Sequence, residues 1–110
     1  MSDGPDPVSA PVSVACSLDA TSLAGRIDEW RALVASSVVS LESDATSVRL
    51  VLDGSDATLV AATSLGQREK QCCAFFDVGI ELGPDARTLY LRVPPGAEEA
   101  MTRFVELLRA

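Results

Sequence analysis

The hydrophobic residues of this 110-residue chain change their spacing several times, from steps of three and four to strict alternation and back. Steps of three and four align side chains on one face of a helix, whereas alternation aligns them on one face of a strand. Turn-forming residues such as Asp53-Gly54-Ser55 and Gly83-Pro84-Asp85 separate the segments. The pattern predicts three helices and two pairs of strands, at about 20–36, 38–42, 48–52, 56–76, 78–82, 88–93 and 97–109.

The order of these segments predicts the fold class. Residues 12–18 also alternate, which adds a strand before the first helix and gives the order (β)αββαββα. Short successive strands pair antiparallel, and amphipathic helices need a sheet face to cover, so we predict an α+β two-layer sandwich with helices on one face of an antiparallel sheet. Asp19 is the expected N-cap of the first helix, and the predicted inward stripe of that helix is Leu23, Ile27, Trp30 and Val34.

The termini and the length predict one domain. Residues 1–11 combine three prolines with glycine, serine and aspartate, a composition that favours a disordered leader. Residues 12–110 have the length and the apolar content of a single domain with one core.

Charge and hydropathy exclude two classes of partner. The formal net charge of −7 repels phosphate backbones, so we expect no direct binding of nucleic acid. No segment approaches the ~20 apolar residues of a membrane span, and the first residues lack the pattern of a signal peptide. We therefore expect a cytoplasmic protein without a membrane partner, whose three cysteines bind a metal, react or pack rather than form disulfides.

The predicted second helix carries an acidic residue on its apolar face. That face consists of Thr58, Ala61, Ala62, Leu65, Glu69, Cys72, Cys73 and Phe76. A buried carboxylate is costly unless it finds a cation, a hydrogen-bond donor or a metal ion. Two interpretations of Glu69 follow: a salt bridge to Arg26, Arg31 or Arg103, or a ligand or proton donor beside the two thiols.

The spacing of Glu69, Cys72 and Cys73 makes them neighbours on the helix surface. Cys16 lies at an inward position of the alternating segment 12–18 and is the third candidate ligand. The chain has no histidine, and thiolates select soft ions, so Hg(II), Cu(I) or As(III) fits this set better than tetrahedral Zn(II). Hg(II) is the favoured ion. A disulfide between Cys72 and Cys73 would distort the helix, and simple packing of the thiols in the core is the structural alternative.

The stretch Glu69-Lys70-Gln71-Cys72-Cys73-Ala74-Phe75-Phe76 resembles an E-x-x-C-C-x-F-F motif in a group of small bacterial proteins. Cys16-Ser17-Leu18 resembles the Cys-Ser-Leu segment that precedes the first helix in that group, so the likeness covers about residues 14–108. The group is associated with MerR-type heavy-metal regulators, and the resemblance implies a role in resistance to mercury or a related metal. Many members have proline after the cysteine pair, and Ala74 in that position predicts a longer helix here.

Three functions follow from these residues. The first is capture or sensing of a soft metal or metalloid ion by Cys72, Cys73, Cys16 and Glu69. The second is an organomercurial-lyase-like enzyme, in which two thiols hold the metal and Glu69 delivers a proton to the leaving carbon. The third is a small interaction domain with structural cysteines. The sequence leaves open whether a MerR-type regulator or a second copy of the chain is a protein partner.

Overall fold

A computed structural model of the chain describes residues 20–109. Three helices and four strands follow one another as α1 Ala20–Ser37, β1 Val38–Ser43, β2 Ser47–Leu52, α2 Asp56–Cys72, β3 Asp77–Leu82, β4 Arg87–Arg92 and α3 Glu98–Arg109. This is the predicted order αββαββα, and the α+β class is confirmed. The disordered leader 1–11, the strand at 12–18, Cys16 and the Asp19 cap lie outside the described residues.

The four strands form one antiparallel sheet in the order β1-β2-β4-β3. Each hairpin pairs its own two strands, and β2 pairs with β4 to join the hairpins in the centre of the sheet. In that central pair Val48 lies opposite Leu91 and Leu50 opposite Leu89, and all four side chains are fully buried. Alternation therefore gives the sheet one apolar face, as the sequence predicts.

The helices pack against that apolar face and against one another. Trp30 of α1 meets Phe104 of α3 edge to face, with ring centroids 5.4 Å apart. Phe76, which lies just beyond α2, contacts the same Phe104 ring at 5.5 Å. These three aromatic side chains join the helices in the part of the core that adjoins the end of α2.

The end of α2 differs from the prediction. The helical pattern predicts a helix that reaches Phe76, and alanine instead of proline at position 74 also predicts a longer helix than in the similar proteins. The structure differs: α2 ends at Cys72, and Cys73 is its C-cap with φ −124° and ψ 90°. The Cys73 N–H donates to the Glu69 carbonyl at 2.8 Å, and the Phe76 N–H donates to the Cys73 carbonyl at 3.0 Å. A turn replaces the last helical turn because Phe76 must enter the core directly before β3 begins.

The predicted inward faces also need correction at particular positions. On α1 the buried residues are Trp30 and Leu33, whereas Leu23, Ile27 and Val34 are only half-buried. On α2 Ala61 is exposed, and Gly66 takes a buried place where α2 crosses the sheet. The buried faces of α1 and α2 are thus turned slightly about the helix axes from the faces that the hydrophobic pattern predicts.

Candidate thiol and carboxylate site

The last turn of α2 brings together the predicted ligands Glu69, Cys72 and Cys73. One carboxylate oxygen of Glu69 and the two Sγ atoms lie within 4.8 Å of one another. Twice a metal–thiolate bond of about 2.3 Å is about 4.6 Å, so one ion can bridge atoms at this spacing with little movement. The i, i+3 and i+4 spacing on the helix produces this convergence, as the sequence predicts.

The three groups differ in their access to solvent. Glu69 is 4% exposed and Cys73 is 2% exposed, whereas Cys72 is half-buried. Cys72 therefore lies on the side from which an ion would enter, and Cys73 faces the core. Cys73 adjoins Phe76 and the other residues of the main hydrophobic cluster.

Glu69 is held by two residues of α1. The Trp30 indole N–H donates to Glu69 Oε1 at 2.8 Å, and Arg26 Nη1 lies 3.6 Å from the same oxygen. Oε1 therefore accepts one hydrogen bond, from the indole, and Arg26 adds an ion pair. The predicted alternative of a salt bridge is present, and Arg26 is the partner.

The other two arginines that the sequence offered have different surroundings. Arg31 Nε donates to the Leu107 carbonyl at 2.8 Å, which ties α1 to the end of α3. Arg103 is exposed on α3. Sequence spacing alone did not distinguish the three, because the choice depends on how α1 and α2 cross.

Arg26 connects the buried carboxylate to the surface. Arg26 Nε lies 4.0 Å from Glu29 Oε1, and Arg68 Nη1 of α2 donates to that oxygen at 2.8 Å. Arg26 Nη1 itself is buried without a hydrogen bond, and its contact with Glu69 at 3.6 Å is an ion pair. Sequence reasoning missed this network because it joins two neighbouring residues of α1, Arg26 and Glu29, to two neighbouring residues of α2, Arg68 and Glu69, and the two helices are distant in the chain.

Two helix termini stabilise the segment that carries the site. Ser55 caps the start of α2 by accepting a hydrogen bond from the Thr58 N–H at 3.0 Å. At the other end Lys70 Nζ donates to the Ala74 carbonyl at 2.6 Å, in the turn that follows the cysteines. The sequence analysis identified Asp53-Gly54-Ser55 only as a turn, and it missed both the Ser55 cap and the lysine contact.

The oxidation state of Cys73 differs from the expectation that the thiols are reduced. Cys73 is disulfide-bonded in this structure, and the bond does not join it to Cys72. The Cys72–Cys73 disulfide that helix geometry disfavours is accordingly not formed. Cys73 can offer a thiolate to a metal ion only when this disulfide is reduced.

A groove lies between α1 and α2. Its volume is about 410 Å³, and small side chains such as Ala32, Ser36, Ala61 and Ser64 form much of its wall. Glu69, Cys72 and Cys73 are not among its lining residues. An organic substrate seated in this groove would therefore not meet the thiols.

Comparison with known proteins finds no relative: no family model, curated protein or solved structure matches the chain at a significant level. Among residues 20–109, none of the helices combines the length and the apolar character that a membrane span requires.

Proposed function

We propose that this protein captures a soft heavy-metal or metalloid ion through the thiolates of Cys72 and Cys73, with Glu69 beside them. The observation that carries this proposal is the approach of the three ligand atoms to within 4.8 Å of one another at the end of α2. Hg(II) is the favoured ion, because soft thiolate ligands select soft ions. Cys16 is the proposed third thiol, and a role in metal resistance or sensing follows from the same proposal.

The burial of the site supports capture in two ways. A half-buried Cys72 gives an incoming ion a first ligand, and transfer to the buried Cys73 then withdraws the ion from water and from competing small thiols. The short connection from α2 to β3 and the aromatic cluster hold Cys73 in place, so little conformational entropy is lost when the ion binds. The ion is cargo in this proposal and is not a cofactor.

Capture is favoured over bond cleavage by the surroundings of Glu69. A lyase would need Glu69 as a proton donor facing a carbon–metal bond. Its Oε1 instead accepts from Trp30 and lies beside Arg26, both of which hold the side chain toward α1. The α1–α2 groove also leaves the thiols outside its walls.

The direct test is native mass spectrometry of the fully reduced protein with Hg(II), As(III), Cu(I) and Zn(II) in competition. We expect one soft ion per chain, release of protons as thiols ionise, and weakened binding in Glu69→Gln. The Cys72→Ser/Cys73→Ser double variant should lose capture. Unchanged Hg(II) and As(III) affinity in that variant would remove the basis of the proposal.

The structure offers an optical readout of the same event. Trp30 is the single tryptophan of the chain, and its indole N–H is bonded to Glu69. Capture of Hg(II) beside Glu69 should quench the Trp30 fluorescence in the wild type and not in the double serine variant.

The enzyme alternative is tested separately with methylmercury and excess thiol. Multiple turnovers to hydrocarbon and Hg(II) would replace capture by catalysis as the function.

A further inference from the structure

The buried charges at the site balance in the absence of metal. Among residues 20–109, Glu69 is the one charged residue that is almost completely withdrawn from solvent. Its partner Arg26 is 13% exposed and lies 3.6 Å away. The next charges outward, Glu29 and Arg68, form their own pair at 2.8 Å and are 49% and 38% exposed. The interior beside the thiols therefore has a net charge of zero.

We propose that the Arg26–Glu69 pair selects the charge of the captured ion, favouring a divalent soft cation over a monovalent one. This inference rests on the proposed function, since it concerns the ion that Cys72 and Cys73 hold. The thiolates of Cys72 and Cys73 form a neutral unit with one divalent cation, and a third thiolate from Cys16 would add one negative charge to the complex of either ion without changing their order. Two thiolates and one monovalent cation leave a net negative charge in the same buried site.

The physical reason is the cost of an uncompensated charge away from water. A buried ion without a partner loses its hydration, and nearby charges act through an effective dielectric far below that of water. Arg26 would otherwise favour the negatively charged complex of a monovalent ion, but its charge is already balanced by Glu69. Because the pair has no net charge, the neutral complex of a divalent ion is buried without an unbalanced charge, whereas the negative complex of a monovalent ion has no cation to balance it.

Removing one member of the pair should change the selectivity in a direction set by its charge. Glu69→Gln leaves Arg26 unbalanced, and a positive site favours the negatively charged monovalent complex. Arg26→Met leaves Glu69 unbalanced, and a negative site disfavours that complex further. The double variant Arg26→Met/Glu69→Gln restores a net charge of zero.

The experiment compares Hg(II) with Ag(I), two thiophilic ions that differ in charge. Each affinity is measured by competition with reduced dithiothreitol. Because dithiothreitol binds both ions through its thiolates, dividing by its affinity corrects for the different affinities of the two ions for thiols. The quantity compared is the Hg(II)-to-Ag(I) affinity ratio, each normalised to dithiothreitol. Glu69→Gln should lower this ratio about tenfold to a hundredfold relative to wild type, and Arg26→Met should raise it. In the double variant this ratio should return to within about threefold of the wild-type ratio, a smaller change than the tenfold that one pKa unit represents.

Several results would overturn the inference. A ratio that changes by less than about threefold in Glu69→Gln, or that moves the same way in both single variants, contradicts charge selection. If Arg26→Met does not fold, as judged by circular dichroism, Glu69→Gln and the double variant decide the question alone. Failure of the proposed function gives a different result, because Cys72→Ser/Cys73→Ser would then bind both ions as tightly as wild type.

Discussion

The Glu69 side chain takes part both in the contact between α1 and α2 and in the candidate site. It is buried between α1 and α2, it accepts from Trp30, it pairs with Arg26, and its oxygen lies beside two sulfurs. Burial of a single carboxylate is costly, and here one hydrogen bond from Trp30 and one ion pair with Arg26 offset that cost. A residue that serves only packing at this position would be apolar, since buried ion pairs are rarely more stable than apolar side chains of similar volume.

Replacement of Glu69 by leucine should therefore destabilise the protein even without metal. The change leaves the Arg26 guanidinium buried without its partner, and the expected loss is about 3 to 5 kcal/mol of unfolding free energy if the pair behaves as fully buried. Urea denaturation of the reduced apoprotein measures this quantity.

Glu81→Leu is the matched control for that measurement. Glu81 pairs with Arg49 at 3.0 Å on the open face of the sheet, where the two side chains are 62% and 47% exposed. An exposed pair of this kind is worth about 1 kcal/mol or less. Equal losses in the two variants would mean that the Arg26–Glu69 pair contributes no more than a surface pair, whereas higher stability in Glu69→Leu would mark Glu69 as a group retained for function at a cost to the fold.

Among the secondary-structure elements, α2 decides where the site lies. Its C-terminal turn carries all three described ligand groups, and its middle crosses the sheet through Gly66. A Cβ built on Gly66 would lie 2.9 Å from Val78 Cγ1 and 3.4 Å from Leu89 Cδ1. Glycine is needed here because the helix approaches β3 and β4 so closely, and that approach brings Cys73 and Phe76 into the core.

Alanine at Gly66 should lower stability, whereas alanine at Gly25 should raise it. Each change gains about 1 kcal/mol of helix propensity. Overpacking at Gly66 costs about 1 to 3 kcal/mol, while a Cβ at Gly25 of α1 meets no atom within 4 Å. Thermal unfolding of the two variants gives the comparison, and a more stable Gly66→Ala protein would show that α2 can move away from the sheet.

The N-terminal end of α2 should respond to acid through Asp53. The Ser55 backbone N–H donates to Asp53 Oδ1 at 3.0 Å, and this bond is the largest cause of a pKa lowered from the ordinary value of the aspartate carboxyl. A carboxylate with a lowered pKa in the folded state stabilises the protein above its unfolded pKa, and the contribution is lost as the pH falls through the folded value.

The stability difference between wild type and Asp53→Ala should accordingly be constant from about pH 5 to 8 and shrink below about pH 4. Urea denaturation at a series of pH values measures it. A difference that persists unchanged at pH 2.5, or that grows as the pH falls, would show that the Asp53 carboxylate charge is not responsible.

Across the molecule, aromatic contacts link the candidate site to the rest of the core. Trp30 contacts both Glu69 and Phe104, and Phe76 joins the end of α2 to the same ring. An ion that binds the assembled site, and binds the unfolded chain less tightly, must stabilise the fold by mass action. The three helices should then unfold together at a higher denaturant concentration.

Hg(II) held at a free concentration of 100 times its dissociation constant should raise the unfolding free energy of the reduced protein by about 2.7 kcal/mol. A small-thiol buffer sets the free concentration, and circular dichroism follows unfolding in urea. The Cys72→Ser/Cys73→Ser variant should show no such increase. Stabilisation of that variant to the same extent would place the binding site elsewhere in the protein.

Periodicity was enough to predict most of the local structure and the convergence of Glu69, Cys72 and Cys73. The alternation of the strands, the helical steps of α1, α2 and α3, and the inward position of Glu69 depend on neighbours within one or two turns, so they could be read from the chain. The i, i+3, i+4 grouping of Glu69, Cys72 and Cys73 is local in the same sense. Those predictions agree with the structure.

Only the tertiary structure decided the end of α2 and the partner of Glu69. Helical spacing continued to Phe76, but the helix ends at Cys72 because Phe76 has to reach the ring of Phe104, which is distant in sequence. Three arginines were available to Glu69, and the crossing of α1 over α2 selected Arg26 and added the Trp30 hydrogen bond. Packing between distant segments is a cooperative result of the whole core, and hydrophobic periodicity within one segment contains no information about which partner that segment will meet.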